Sequence, residues 1–156
     1  MILPRQSQIW AVVKAGQPLQ KLYYQICSGL LGRLCFSGEP DALSAAQWTV
    51  MDEGTAFYGK AASIIDHGVS QRFGSRIVSY RAPRGWQAVV RRGETQTLVV
   101  VHTFGAAPEA VTLPVGGKIA AQFMREGLTA THLDGQLTVH GLTDFDAAAF
   151  ILENEG

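Results

Sequence analysis

Two stretches in the first third of the chain repeat apolar residues at helical spacing. The first places them at Leu19, Leu22, Ile26 and Leu30, and it loses helical character where glycines follow. The second covers residues 44–66 and carries its apolar side chains on one face. This pattern predicts two amphipathic helices. Neither helix can bury its apolar stripe without a partner.

A complete set of signals marks the second helix. Ser44 is a good N-cap, because its hydroxyl accepts a hydrogen bond from a free backbone N–H group of the first turn. Gln47 completes the capping box, and Gly68 is the expected end. A short apolar run at residues 30–36 precedes this helix. We therefore predict a strand–loop–helix unit, and such units carry functional sites in the loops that follow their strands.

Beyond Gly68 the pattern becomes typical of short strands. Asp134–Gly135 favours a two-residue hairpin turn, and Thr97–Val101, apolar on both faces, favours a central strand. The expected strands cover residues 76–80, 86–92, 97–104, 110–113, 119–124, 136–140 and 147–152. We predict an α+β chain, with a helical segment over residues 1–68 and an antiparallel β-sandwich domain over residues 69–156.

Charge and hydropathy narrow the classes of function. The chain has 13 basic and 13 acidic residues, which argues against binding to nucleic acid. No apolar run is long enough for a membrane span. The first ten residues, MILPRQSQIW, lack the features of a signal peptide, which favours a cytoplasmic protein or a segment cut from a larger one.

The cysteines and histidines predict neither a metal site nor a cofactor site. Cys27 and Cys35 are too far apart for a disulfide if they share one helix, and we expect two buried thiols. The four histidines have no metal-ligand spacing, and His102 interrupts an apolar strand. We expect His102 to be a hydrogen-bonded histidine. No metal and no cofactor is predicted.

Several segments resemble one family of enzymes. The segment Gly32–Gly38, GRLCFSG, is similar to the late barrel segment of bacterial α-galactosidases of the melibiase type, with Glu39 where that family usually has Asp. The helix that follows carries matching residues at Phe57, Tyr58, Ile64, Ile65 and Gly68. Residues 81–87 (RAPRGWQ) and 101–104 (VHTF) resemble the start of the C-terminal β domain in the same family.

The resemblance implies that residues 1–68 are a remnant of a (β/α)₈ barrel and that the whole protein hydrolyses terminal α-galactosides. Retaining hydrolysis needs two carboxylates about 5–5.5 Å apart. In the family these are aspartates on earlier barrel strands, and nothing in this chain matches them. We therefore name no catalytic residue, and we expect the isolated chain to be inactive.

Three residues are candidates for substrate binding. Ser37 and Glu39 follow the predicted strand, at the end where binding groups collect in barrels, although they can equally satisfy the backbone of the loop. The Trp86 ring suits the apolar face of a sugar, although it can equally belong to the sandwich core.

Three interpretations stay open at this point. The chain is a C-terminal fragment or truncated homologue of an α-galactosidase-like glycoside hydrolase, a non-catalytic β module that binds carbohydrate, or an interaction protein that dimerises. If the β domain covers the two helices, their apolar stripes are buried. If it does not, we expect a homodimer through the residues before Gly68.

Overall fold

The computed structural model describes residues 3–154 and has an α+β fold with two α-helices. The helices are α1 (Leu19–Gly29) and α2 (Ala45–His67). Short 3₁₀ turns lie at Pro4–Gln6 and Pro40–Ala42. The strands are β1 (Gln8–Val13), β2 (Arg33–Gly38), β3 (Val69–Gly74), β4 (Trp86–Arg92), β5 (Gln96–Thr103), β6 (Ala110–Pro114), β7 (Lys118–Met124), β8 (Thr129–Leu133), β9 (Gln136–His140) and β10 (Ala147–Glu153).

Strands β1 and β2 pair in parallel, with α1 as the connection between them. Their register places Trp10 beside Cys35 and Val12 beside Ser37. Helix α1 ends at Gly29, and Leu34, which lies one more helical step beyond Leu30, belongs to β2. The chain turns tightly here and brings the Leu34 side chain against Gly29. A Cβ on Gly29 would therefore collide with Leu34.

The predicted start and end of α2 are confirmed. Ser44 is the N-cap, and its hydroxyl accepts from the Gln47 N–H at 3.2 Å. The helix ends at His67, where the Gly68 N–H donates to the Ile64 carbonyl. Gly68 does not adopt a left-handed conformation. A glycine is needed because a Cβ would lie 2.7 Å from Cγ of Arg91.

The remaining strands form two antiparallel sheets. One has five strands in the order β3-β4-β5-β10-β7, and the other has three in the order β6-β9-β8. The predicted central strand is confirmed, since β5 is the middle strand of the larger sheet. The predicted hairpin is also confirmed. Asp134 and Gly135 both have positive φ, 50° and 71°, and they join β8 to β9.

After Gly68, one predicted strand is wrong and two were missed. Residues 76–80 lie in the irregular connection between β3 and β4, where Val78 is 92% exposed. Their apolar residues have no facing strand, so composition alone does not make them part of a sheet. The missed strands are β3 at the edge of the larger sheet, mostly exposed, and β8 at the edge of the smaller one.

The five-stranded sheet is the middle of three layers. Residues of β5 alternate between its faces: Leu98 and Val100 pack against the helices, whereas Val99 and Val101 pack against the three-stranded sheet. Both faces of β5 are therefore buried, which explains its continuous apolar sequence. The helices thus share a core with one face of the five-stranded sheet, and the other face forms a second core with the three-stranded sheet. Gly68 marks the change from α2 to the antiparallel strands.

Most of the apolar stripe of each helix is covered by the β part of the same chain, and Leu19 at the start of the first stripe remains 39% exposed. Leu22, Ile26 and Leu30 of the first stripe are fully buried, and Met51 and Ile65 of α2 are buried beside them. Burying each such side chain contributes about 1.5–3 kcal/mol. Of the two alternatives, the structure has the one in which the β part covers the helices. A homodimer through residues before Gly68 stays a prediction, and it requires a different surface.

Candidate functional site

The carboxyl ends of β1 and β2 meet at one edge of the parallel pair. The Glu39 N–H donates to the Val13 carbonyl at 3.0 Å, which holds the two strand ends together. Ser37 lies half-buried next to Val12, and Glu39 is exposed just beyond the strand. The structure therefore places Ser37 within the last residues of β2 and Glu39 just after it, beside the loop that leads from β1 into α1, whereas the sequence placed both residues after the strand.

A glycine is required at this edge. Gly38 has a φ of 116°, a conformation that side chains disfavour, and a Cβ there would collide with the Val13 carbonyl oxygen. The close approach of the two strands fixes the position from which Glu39 leaves β2. Ser37-Gly38-Glu39 is thus a defined strand end.

Gln47 links the two loops at this edge. Its side chain is only 3% exposed, and its Nε2 donates to the carbonyl oxygens of Lys14 at 3.0 Å and Gln17 at 3.3 Å. Its Oε1 accepts from the Ser44 N–H at 3.0 Å. The sequence predicted the capping box but not the contacts to the loop after β1, because those residues are about thirty positions away in the chain.

The face of the parallel pair that points away from the helices is open. Trp10 is 56% exposed and Val12 is 39% exposed, with Cys35 and Ser37 beside them on β2. Helices cover the opposite face, where Ala11 and Val13 are buried. Within residues 3–154, β1 and β2 pair only with each other. Parallel sheets are normally covered on both faces, so this face is suited to further strands or to a partner.

Trp86 does not join Ser37 and Glu39. It begins β4 and packs, half-buried, against the core between the two antiparallel sheets. The helices lie on the other face of the five-stranded sheet, together with Phe36 of β2. Trp86 is thus separated from the strand-end residues by a sheet, and its predicted contact with a sugar stays a prediction.

Two buried titratable groups, His102 and Cys27, are held in their neutral forms. Burial lowers the pKa of His102 to about 4, and its Nε2 lies 3.1 Å from the Ser28 hydroxyl oxygen. Burial likewise raises the pKa of the Cys27 thiol, so Cys27 is protonated at neutral pH. Both cysteines are free. His102 is therefore hydrogen-bonded, as expected from the sequence.

The sequence did not reveal the ion pair of Asp146. The Asp146 carboxylate is fully buried and accepts from Arg125 Nε at 3.0 Å. It also accepts from the N–H and the hydroxyl of Thr143 and from the Ala147 N–H. Its oxygens are thus occupied by structural donors. The TDFD sequence at residues 143–146 is typical of a turn, and no local signal in it points to Arg125.

Between residues 3 and 154, no three His, Cys, Asp or Glu side chains are grouped so that they could hold a metal ion. No helix in the same range has the length and apolar character needed to cross a membrane.

The architecture is a parallel βαβα segment followed by an antiparallel β domain. Solved α-galactosidases contain a similar arrangement. The galactosidase domain of AgaSK, an α-galactosidase–sucrose kinase, matches 94% of this chain with 14% identity and a TM-score of 0.55. A variant of the GH36 α-galactosidase AgaA from Geobacillus stearothermophilus in complex with raffinose matches 97% of this chain, with 15% identity and a TM-score of 0.58. A second AgaA variant, in complex with 1-deoxygalactonojirimycin, matches 94% with 15% identity and a TM-score of 0.56.

These matches concern the fold, and they cover only part of each enzyme. The chain spans 21–22% of the length of these structures. That share is consistent with a C-terminal part, as the resemblance of residues 30–104 implied. No protein-family model matches the sequence, and no curated protein matches it.

Proposed function

We propose that this chain is the C-terminal part of an α-galactosidase-like glycoside hydrolase, whose complete form hydrolyses terminal α-galactosides. In this proposal β1-α1-β2-α2 are the last two β/α units of a (β/α)₈ barrel, and residues 69–156 are its C-terminal β domain. The main support is the parallel β1–β2 pair, which is helix-covered on one face and open on the other. A barrel strand needs this arrangement, because its inner face meets the other strands.

The proposed reaction needs two carboxylates. Of the two strand-end loops in this chain, only the loop after β2 contains acidic residues. Glu39 and Asp41 both lie in the loop after β2, and the loop after β1, residues 14–18, contains no acid. Retaining hydrolysis requires carboxylates about 5–5.5 Å apart on the two sides of the scissile bond. The nucleophile and the acid therefore come from other strands of the complete barrel.

The role proposed for this chain at the active site is substrate contact. The Ser37 hydroxyl and the Glu39 carboxylate lie at the strand end, where they can hydrogen-bond to sugar hydroxyls. Gln47 keeps both loops in place, so these groups are positioned before the substrate arrives. A sugar contact by Trp86 is not part of this site, because Trp86 packs on the other side of the five-stranded sheet.

The first experiment measures turnover by the isolated chain. Release of nitrophenol from an aryl α-galactoside should not exceed the blank, even at high protein concentration. The Glu39→Gln variant is the matched control. Activity that persists through repurification and disappears in Glu39→Gln would overturn the proposal that the carboxylate pair lies outside this chain.

A second experiment tests the barrel itself by reading the coding sequence upstream of residue 1. We expect an open frame that encodes further β/α units, with two aspartates at the carboxyl ends of strands. A frame without such units would overturn the barrel proposal and leave the non-catalytic carbohydrate-binding or dimerisation module. A glycan-binding screen then separates those two alternatives.

A further inference from the structure

A groove of about 500 Å³ lies between the start of α1 and the turn that leads into β10. It is lined by Pro18, Gln20, Lys21, Tyr24, Gln25 and Phe145. Its walls are mostly carbon, and four of the lining side chains end in a polar group: Gln20, Lys21, Tyr24 and Gln25. A groove of this size is within the range of small-molecule sites in proteins. The groove is separate from the strand-end residues Ser37 and Glu39.

Phe145 has an unusual backbone conformation in this groove. Its φ is 55°, in the left-handed region, and half of its side chain is exposed. A bulky residue with positive φ is an outlier, whereas glycine would adopt the same conformation without strain. Such strain is found mainly at functional sites. An exposed aromatic ring at a strained position therefore calls for an explanation other than packing.

The turn that carries Phe145 is fixed on both sides. Gln20 Nε2 donates to the Thr143 hydroxyl at 3.2 Å and to the Asp144 carbonyl at 3.0 Å. The Asp144 carboxylate accepts from the Ala107 N–H at 2.8 Å. On the other side of Phe145, Asp146 is held by its ion pair with Arg125. These contacts fix the backbone that carries Phe145 without a ligand, so the turn is preorganised.

Hydrogen-bond donors on α1 face the same groove. The Tyr24 ring is held edge-on against His102, with centroids 4.9 Å apart. The Tyr24 hydroxyl is protonated at neutral pH and can donate a hydrogen bond, and burial raises its pKa further above the ordinary value of 10.0. Across residues 3–154, neither the Tyr24 hydroxyl nor the Lys21 ammonium has a hydrogen-bond or salt-bridge partner among the protein side chains and carbonyls.

We propose that this groove binds a neutral pyranose ring of an oligosaccharide. The apolar face of the ring stacks on Phe145, and its hydroxyls accept hydrogen bonds from Lys21 Nζ and Tyr24 Oη. One cation is too few for a phosphate-bearing ligand, and a purely apolar ligand would leave both donors unused. The choice of a sugar rests on the proposed function, to which this groove adds a second sugar site away from the strand ends.

The experiment is an NMR titration of the purified chain with raffinose, and with maltotriose as a trisaccharide that lacks galactose. Binding should shift the signals of Phe145, Tyr24 and Lys21. Phe145→Gly should weaken binding by at least about tenfold, the loss expected for an aromatic contact. Its urea midpoint should be unchanged or raised, because glycine relieves the strain. Phe145→Tyr should retain binding.

A matched control is Tyr80→Ala, since Tyr80 is 84% exposed on the loop between β3 and β4. It should bind both sugars as the unmodified chain does. If neither trisaccharide shifts the groove signals, or if Phe145→Gly binds with unchanged affinity, the groove is not a sugar site. Either result leaves the proposed function intact, because that proposal is judged by the upstream carboxylates and by turnover. Conversely, binding at Phe145 does not depend on catalysis.

Discussion

Gln47 Nε2 donates a hydrogen bond to the carbonyl oxygen of Lys14 at 3.0 Å. This bond joins the first turn of α2 to the loop after β1. The same side chain accepts from the Ser44 N–H, so one amide completes the helix cap and fixes the neighbouring loop. The strand-end site is therefore built around a residue that never contacts substrate in our proposal.

This double role predicts unequal losses for the two members of the capping box. Ser44→Ala should lower the free energy of unfolding by about 1 kcal/mol, the usual cost of losing an N-cap hydroxyl. Gln47→Ala should cost about 2–3 kcal/mol, because it also leaves carbonyl oxygens without their donor in a buried position. Urea denaturation of both variants checks this. Equal losses would show that the contacts to Lys14 and Gln17 contribute nothing.

Two glycines of α2 should respond in opposite directions to the same change. A Cβ on Gly54 would lie 2.7 Å from Cγ2 of Ile26, where α2 packs on α1, so Gly54→Ala should be destabilising by about 1–3 kcal/mol. No atom lies within 4 Å of a Cβ on Gly59, and Gly59→Ala should stabilise the helix by about 0.5–1 kcal/mol. Thermal unfolding of the Gly54→Ala and Gly59→Ala variants distinguishes the two effects. A stabilising Gly54→Ala would contradict the close contact between the helices.

Local signals predicted those parts of the fold that depend on neighbouring residues. Ser44 and Gln47 are three positions apart, and Asp134–Gly135 specifies its own turn, so both were visible in the sequence. The apolar run at Thr97–Val101 indicated a strand buried on both faces, which β5 is. Each of these features reflects the requirements of a single element.

The features that the sequence did not predict depend on distant partners. Residues 76–80 have the composition of a strand but no facing strand, whereas β3 has little apolar alternation and forms because β4 pairs with it. The pairing of Arg125 with Asp146 joins residues 21 positions apart, across neighbouring strands. The left-handed Phe145 carries no sequence signal, because glycine or asparagine would be expected there.

His102 should make stability depend on pH. Its pKa is about 4 in the folded chain, below the ordinary value of 6.5, because burial disfavours the charged form. Between these values the unfolded chain binds a proton that the folded chain does not. The contribution of neutral His102 to the free energy of unfolding is therefore complete above about pH 6.5. It is lost as the pH falls towards 4, and the loss reaches up to about 3 kcal/mol.

The test compares urea midpoints of the unmodified chain and His102→Gln from pH 8 to pH 4. Carboxylates that titrate in the same range affect both proteins equally, so the difference between the two curves reports His102. The difference should change across this window and become constant above it. Parallel curves over the whole range would show that His102 is not buried in its neutral form.

Self-association is predicted to occur through the open face of the β1–β2 pair. Trp10 and Val12 are exposed there, and covering each large apolar side chain contributes about 1.5–3 kcal/mol. A symmetric dimer covers this face on both copies when no other strands do so.

Light scattering of the isolated chain should give a mass near twice 16.8 kDa. Trp10→Glu should shift this mass towards the monomer, whereas Trp48→Glu, on an exposed position of α2, should not. A monodisperse monomer of the unmodified chain would contradict the prediction.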